Sequence, residues 1–220
     1  MFKMFGVTAE KPWVNVGDSL VHFMYDPPHL LKSVRNNLMK HRFEVNGQIV
    51  DSKYIADFFE RDSKQLVKLA PRLTPKHYTS AFCCNRVRLA AQVLSHSVVA
   101  GIYTHVALNA MLETATYTAE FLEKLDGLFD CFNFGNMTNA KQFRRALTAT
   151  SLHWSHLDVC KAMLSSLKVQ NCKVKVPCIQ GLSAVLIALF MFFKYYKHDM
   201  DSNSCSRIDR IRTASKIILP

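Results

Sequence analysis

The sequence lacks the features of a secreted or disulfide-linked protein. Its seven cysteines are an odd number, include no C-x-x-C pair and follow no regular spacing. The apolar part of the N-terminal segment, residues 1–7, is too short for a signal peptide. Cysteines of this kind are expected to stay reduced inside a cell. We therefore expect an intracellular protein rather than an exported one.

The two familiar sequence signatures of GTPases are also missing. The chain contains no G-x-x-x-x-G-K-[ST] loop and no N-K-x-D run. The first of these would cradle phosphates with backbone N–H groups, so its absence excludes a conventional P-loop GTPase.

Acidic residues are in short supply, and the chain is strongly basic. Lys and Arg number 28 against 17 Asp and Glu, which gives a formal net charge of +11. This charge favours a polyanionic partner, either nucleic acid or an acidic membrane surface. Basic surface charge also serves solubility, so the sign alone does not decide between partners.

One long uncharged segment invites a membrane interpretation. Residues 176–193 carry no charge, but they barely reach the ~20 residues that a membrane span requires. The first half of the segment is less apolar because it contains Pro177, Gln180, Gly181 and Ser183. We therefore predict a buried helix, with a membrane-anchored helical protein as the alternative.

Hydrophobic periodicity predicts a mainly α (α+β) chain whose short β elements come first. Asn46 and Gly47 are typical of a primed hairpin turn between two short strands. Asp51 or Ser52 can cap the helix that follows. The predicted elements are a strand over 20–25, a helix over 29–40, the hairpin over 43–50, and helices that begin near 52 and that span 87–102, 114–132, 153–168 and 177–197, with a basic loop over 168–175.

The run at residues 21–38 is the most informative part of the sequence. A short apolar strand is predicted to end at Asp26, and Pro27 and Pro28 then fix the backbone at the start of a basic helix. A carboxylate held at such a corner is suited to bind a metal ion. On spacing alone, the commoner role of a lone aspartate at this place is to cap the helix.

This run resembles the second catalytic aspartate motif of the P-element transposases and their THAP-domain relatives. Residues 69–77, 87–95 and 128–133 resemble the same family, in the same order along the chain. The resemblance implies the end of an RNase H-like core that is interrupted by a GTP-binding insertion domain. The implied divisions are a partial core with the hairpin (1–51), a helical GTP-binding insertion domain (52–197) and a polar, basic tail (198–220).

The resemblance implies a role for Asp26, and the position of His29 three residues later at the same corner suggests one for His29. Asp26 would be a catalytic residue that binds Mg²⁺, as one of the acids that hold two divalent ions in such transposases. His29 would support that site or contact phosphate, unless it only satisfies nearby backbone groups. The first aspartate of the family would lie upstream of Met1, and its glutamate near or after the C-terminus. We therefore expect that the chain alone neither cuts nor joins DNA.

A GTP site in the helical part is a further implication. Asp130 and Asn133 are one turn apart, and a carboxylate can accept two hydrogen bonds from the paired N–H groups of guanine. Lys124, Arg88 and Lys76 are candidate partners of the phosphates. The alternative for Asp130 is an exposed helix acid without a ligand.

The predicted helix over 29–40 carries a polar and basic stripe. Lys32 is followed at three and four residues by Arg35 and Asn36, and Asn36 is followed at four by Lys40, spacings that stack the four along one helical face. Such a stripe can follow a DNA phosphate backbone without selecting bases. A solvated helix face is an equally good interpretation.

His153, His156 and Cys160 would align on one helix and could hold a metal ion, but a fourth ligand is missing and a packed helix is favoured.

Taken together, the sequence predicts a fragment of a P-element-like transposase that binds GTP and contacts DNA. Kinship places it in the nucleus, and a homo-oligomer is left open. The alternative is a domesticated helical interaction protein without nucleotide.

Overall fold

The structure is a computed structural model that describes residues 6–8, 10–17, 19–77, 86–133, 138–148, 150–172 and 176–200. The predicted mainly α (α+β) fold is confirmed. Two short 3-10 turns, at Pro75–His77 and Gln142–Arg144, lie in the connections. The elements in chain order are β1 (Trp13–Val16), β2 (Ser19–His22), α1 (Pro27–Leu38), β3 (Phe43–Val45), β4 (Gln48–Val50), α2 (Lys53–Ser63), α3 (Val87–Val93), α4 (His96–Ala107), α5 (Ala115–Phe132), α6 (His153–Ser166), β5 (Lys168–Val169) and α7 (Pro177–Met200).

The first predicted strand is shorter than expected. β2 pairs antiparallel with β1, with Trp13 opposite His22, and it ends at His22. The backbone N–H of Phe23 still donates to Pro12 at 2.8 Å, and the residues that follow are irregular up to the helix. The prediction of a strand over 20–25 is therefore corrected, because the chain leaves its partner before it reaches Asp26.

The Asn-Gly hairpin is confirmed, with β3 and β4 paired antiparallel. Asn46 has φ 52° and Gly47 has φ 80°, the positive angles that a type I′ turn requires. A third strand was not predicted from the sequence. β5 pairs antiparallel with the other side of β3, with Phe43 opposite Val169, so part of the predicted basic loop over 168–175 is a strand.

The predicted helix over 87–102 is two helices. α3 ends at Val93 and α4 begins at His96, with Ser95 extended between them (φ −84°, ψ 156°). The hydroxyl of Ser95 donates to the carbonyl of Gln92 at 2.8 Å. A serine side chain that bonds to nearby backbone in this way competes with the helical hydrogen bonds, which explains the break.

α5 is the centre of the core, because it contacts α1, α4, α6 and β4. Two glycines allow other helices to approach closely. A Cβ on Gly101 of α4 would collide with the ring of Phe58 on α2, and one on Gly181 of α7 would lie 2.6 Å from Leu30 on α1. The buried apolar cluster runs from Leu30 to Leu189, so it crosses the predicted division at residues 51 and 52 without a break.

α7 lies in this core, as the buried-helix prediction expected. It packs against α1 and α6, and its buried side chains include Ile179, Leu182, Val185 and Leu186. Within the part of the chain that the structure describes, no helix has both the length and the apolar character to cross a bilayer.

Candidate functional site

Asp26 is the N-cap of α1. Its Oδ2 accepts a hydrogen bond from the backbone N–H of His29 at 3.2 Å, and the ring Nε2 of His29 lies 3.6 Å from the same oxygen. Pro27 and Pro28 occupy the first two helical positions, where a missing N–H costs nothing. The side chain of Asp26 is partly buried and that of His29 is exposed. The helix-cap role is thus present, and the catalytic and Mg²⁺ roles of the two residues stay predictions.

The described residues do not by themselves make a two-ion site at this corner. No group of three or more His, Cys, Asp or Glu in the described ranges is arranged to hold a metal ion. One carboxylate that already caps a helix does not fit a pair of divalent ions, which need several oxygen ligands.

Four residues on and after α1 were predicted to form an exposed DNA-binding stripe, and one of them is misplaced. Arg35 is only 2% exposed, so its inclusion in an exposed stripe is wrong. It shares the buried face of α1 with Leu31 and Leu38, at spacings of four and three residues. The remaining three residues are accessible, with Lys32 and Asn36 half-buried and Lys40 exposed just after the helix.

A cluster of charged residues stands at the C-terminal end of α5, and we call Asp126, Asp130, Lys141 and Arg144 the Asp130 cluster. Asp130 is buried, and its two oxygens contact Lys141 Nζ at 2.7 Å and Arg144 Nε at 2.6 Å. Lys141 also lies 3.3 Å from Asp126. The expected alternative, an exposed helix acid, is wrong.

The connection that supplies these cations is fixed onto α5 and α6. The ring of Phe143 stacks on His156 at 4.3 Å, and the carbonyl of Phe143 is 3.1 Å from Nε2 of His153. A Cβ on Gly127 would lie only 2.5 Å from His156, so this glycine makes room for the ring. Cys160 Sγ is 3.5 Å from His156 Nε2. The histidines and the cysteine are therefore packing residues, as the favoured interpretation expected.

The Asp130 cluster is closed on its inner side and open on its outer side. Burial raises the pKa of the Asp126 carboxyl, an effect that Lys141 opposes and the charge of Asp130 reinforces. The side chains of Lys141 and Arg144 are still 45% and 40% exposed. Arg144 contacts Asp130 through its Nε, and among the described residues no hydrogen bond is made by its other N–H groups, which could therefore bind an anion.

The other predicted nucleotide-binding residues do not all join this cluster. Asn133 ends α5, is exposed and donates to the carbonyl of Phe129 at 2.8 Å. Lys124 lies on α5 with Glu120 at 3.9 Å. Arg88 and Lys76 are exposed on α3 and on the 3-10 turn that packs against it.

No hydrogen bond or ion pair in the described residues connects Arg88 or Lys76 to Asp130. Sequence reasoning also missed Lys141 and Arg144. Lys141 precedes and Arg144 ends the 3-10 turn Gln142–Arg144, and no helical periodicity relates them to α5, which they contact.

Comparisons with known proteins bear on this arrangement. Residues 28–146, more than half of the chain, match the family described as TNP-like, GTP-binding insertion domain. The chain is similar to the Transposable element P transposase of Drosophila melanogaster, with 28% identity over 132 residues that make up 58% of this chain and 18% of the relative. It thus spans less than a fifth of that relative.

A solved structure has the same fold. The structure titled Drosophila P element transposase strand transfer complex has a TM-score of 0.82 and 21% sequence identity, and the match covers 90% of this chain and 46% of that chain. The resemblance that the sequence predicted is therefore confirmed. The chain belongs to the TNP-like GTP-binding insertion domain family.

Proposed function

We propose that this chain binds GTP through its insertion domain and contacts DNA, as part of a P-element-like transposase, and that it does not join DNA strands by itself. The observation that carries this proposal is the match of residues 28–146 to a GTP-binding insertion domain family. The absence of a P-loop motif in the sequence requires a site of another kind. Nuclear location belongs to the same proposal.

The Asp130 cluster supports a nucleotide site with a particular division of roles. Asp130 is buried and both of its oxygens already contact cations, so little of the carboxylate is accessible to a guanine. We therefore assign Asp130 to the positioning of Lys141 and Arg144, whose exposed N–H groups bind the phosphates. Charge-assisted hydrogen bonds from Arg and Lys to phosphate are among the strongest that proteins make.

Isothermal titration with GTP and with ITP tests both the binding and the roles, since ITP lacks the exocyclic amine of guanine. Arg144→Met and Asp130→Asn are expected to weaken both nucleotides by the same factor, on the order of tenfold. The matched control is Asp158→Asn, a change to an exposed acid on α6. It is expected to leave both affinities unchanged.

Two other results would contradict the assignment. If Asp130→Asn removed only a preference for GTP over ITP, the carboxylate would contact guanine directly, as the sequence predicted. If titration of GTP into the unchanged chain gave no binding heat, nucleotide binding would be absent. The alternative of a helical interaction protein without nucleotide would then stand. Circular dichroism of each variant shows whether the fold is kept.

DNA contact rests on charge and on the accessible face of α1. The chain carries a net charge of +11, and Lys32, Asn36 and Lys40 remain accessible on or beside this helix. Contacts of this type go to phosphates and give affinity without base selection. Strand joining would need the further acidic residues that the sequence does not allow us to assign, so Asp26 alone is not proposed as an active site.

A further inference from the structure

The connection after α2 presents apolar side chains to solvent. We call residues 64–69 the apolar loop. Leu66 is fully exposed (101%), Val67 is 78% exposed and Leu69 is 43% exposed. Single exposed apolar residues are ordinary on a protein surface, but two neighbours at a loop tip with a third close by form a patch.

A buried carboxylate fixes this loop at its base. Asp62 is 2% exposed, and its two oxygens accept hydrogen bonds from the backbone N–H groups of Leu69 at 2.7 Å and Ala70 at 3.1 Å. At the other end, Lys64 and Gln65 donate their backbone N–H groups to the last turn of α2 at 3.2 Å and 3.1 Å. Both ends are therefore held while the apolar tip projects outward, which lowers the entropy cost of using that tip in binding.

Positive charge surrounds the tip. Between residues 61 and 76 the sequence has five cations, Arg61, Lys64, Lys68, Arg72 and Lys76, and all five are exposed. Asp62 is the single acid in that stretch, and its charge is turned inward to the backbone. Only Lys64 of the five has an ion pair among the described residues, with Glu60 at 2.8 Å. The loop is an apolar wedge with a basic rim.

We infer that the apolar loop inserts Leu66 and Val67 into the minor groove of duplex DNA while Lys68 and Arg72 contact the phosphates beside it. This inference rests on the DNA-contact part of the proposed function. Apolar wedges that partly unstack a base step, with cations on the adjacent phosphates, are a recurring mode of minor-groove binding.

Charge and size favour DNA over other partners. A specific protein interface buries about 800 Å² per partner, far more than three aliphatic side chains supply. A helix that lies on a membrane uses a continuous apolar face, whereas cations flank this tip within two residues on each side. A narrow groove between two rows of phosphates fits a small wedge with a basic rim.

The first test uses duplex DNA with 2-aminopurine at a flexible TA step, because its fluorescence rises when the base unstacks. The full chain is expected to raise the fluorescence, and the pair Leu66→Ser with Val67→Ser to abolish the rise and weaken binding on the order of tenfold. The matched control is Leu108→Ser with Leu112→Ser, two leucines of the α4–α5 connection that are 72% and 68% exposed.

The second test measures the salt dependence of DNA binding by fluorescence anisotropy. Lys68→Ala with Arg72→Ala is expected to reduce the slope of log affinity against log salt concentration by about 2, since each phosphate contact contributes about 0.9. The control pair is Lys11→Ala with Lys168→Ala, both exposed, which is expected to leave the slope unchanged. The serine pair is expected to keep the slope of the unchanged chain.

Three outcomes would overturn the inference, and they are distinguishable. If the chain binds DNA without a rise in fluorescence, or if the loop and control pairs have equal effects, insertion of Leu66 and Val67 is contradicted. DNA contact is kept in that case. Loop-dependent binding to phosphatidylserine vesicles without base unstacking assigns the tip to a membrane. No DNA binding by the unchanged chain removes the inference and the proposed DNA contact together.

Discussion

At the scale of single residues, three buried aspartates use their carboxylates to organise the chain around them. Asp51 accepts the backbone N–H of Lys53 at 2.9 Å and contacts Arg42 at 2.7 Å. Asp62 holds the base of the apolar loop, and Asp130 holds two cations against α5. A buried carboxylate is tolerated only where such partners replace water. In each case the partners belong to the chain itself.

The cap of α2 allows a direct comparison of neighbouring residues. Asp51→Ala is expected to lower the free energy of unfolding by about 1–2 kcal/mol, because it removes the cap bond to Lys53 as well as the contact with Arg42. Ser52→Ala is expected to change it by less than about 0.5 kcal/mol, since the hydroxyl of Ser52 makes no cap hydrogen bond within the described structure. Urea denaturation followed by circular dichroism measures both. Equal losses would show that the cap is not carried by Asp51.

The sequence could identify these residues but not their partners. Asp51 and Ser52 are both good capping residues, and only the backbone geometry selects Asp51. Arg35 was predicted to be a surface residue because it is charged, yet it lies on the buried side of α1. Lys141 and Arg144 contact an acid more than ten residues away, a distance that no local pattern encodes.

At the scale of elements, the connection between α5 and α6 is fixed by rings as well as charges. Phe143 stacks on His156 and also meets the edge of His153 at 5.7 Å. Burial lowers the pKa of both histidines below the ordinary value of 6.5, although nearby backbone carbonyls oppose the shift. The neutral rings are therefore the forms that the folded chain stabilises.

This connection is expected to make the fold less stable in mild acid. Because the folded pKa of His156 is lowered, the unfolded chain binds more protons below about pH 6.5. The contribution of His156 to the free energy of unfolding is complete above that pH. It is lost as the pH falls toward the pKa that His156 has in the folded chain. Urea denaturation should give a smaller free energy of unfolding at pH 5.5 than at pH 7.5.

His156→Gln, which cannot titrate, is expected to reduce that difference between the two pH values. The groups that face this ring, His153, Glu123 and Lys124, are unchanged in the variant. The matched control is His41→Gln in the turn between α1 and β3, which should keep the full difference. A His156→Gln chain with the same pH dependence as the unchanged chain would show that this ring does not couple stability to pH.

Elements with a local cause were predictable, and elements with a distant cause were not. The Asn46–Gly47 hairpin and the helices follow from turn residues and periodicity. β5 has two residues, too few for any alternation to show, and it exists because β3 offers an open edge. The break at Ser95 interrupts an apolar stripe that continues through it, so periodicity alone gave one helix.

At the scale of the whole molecule, the last helices complete the core that the first elements begin. α7 packs on α1, α6 packs on α5 and β3, and β5 extends the sheet of β3 and β4. The family match ends at residue 146, before any of these three elements. The chain therefore places the matched segment and the elements that follow it around one core rather than two.

Because α6 and α7 complete this single core, we predict that the matched segment does not fold cooperatively without them. Each large apolar side chain buried in a core contributes about 1.5–3 kcal/mol, so nine of them together contribute an amount comparable to or above the 5–15 kcal/mol by which a typical domain is stable. A chain that ends at residue 151 should lose its near-ultraviolet circular dichroism, bind the dye ANS and unfold without a sharp transition. The nine are Leu157, Met163, Leu164, Leu167, Ile179, Leu182, Val185, Leu186 and Leu189.

A chain that ends at residue 200, where α7 ends, is the matched control and should unfold in one sharp transition like the full chain. Far-ultraviolet circular dichroism and tryptophan fluorescence should then give the same midpoint, because Trp154 lies on α6 and packs against Phe190 of α7. A sharp transition and a native near-ultraviolet signal from the chain that ends at 151 would contradict the prediction. The matched segment would then be a separate folding unit, and α6 and α7 would be additions to its surface rather than part of its core.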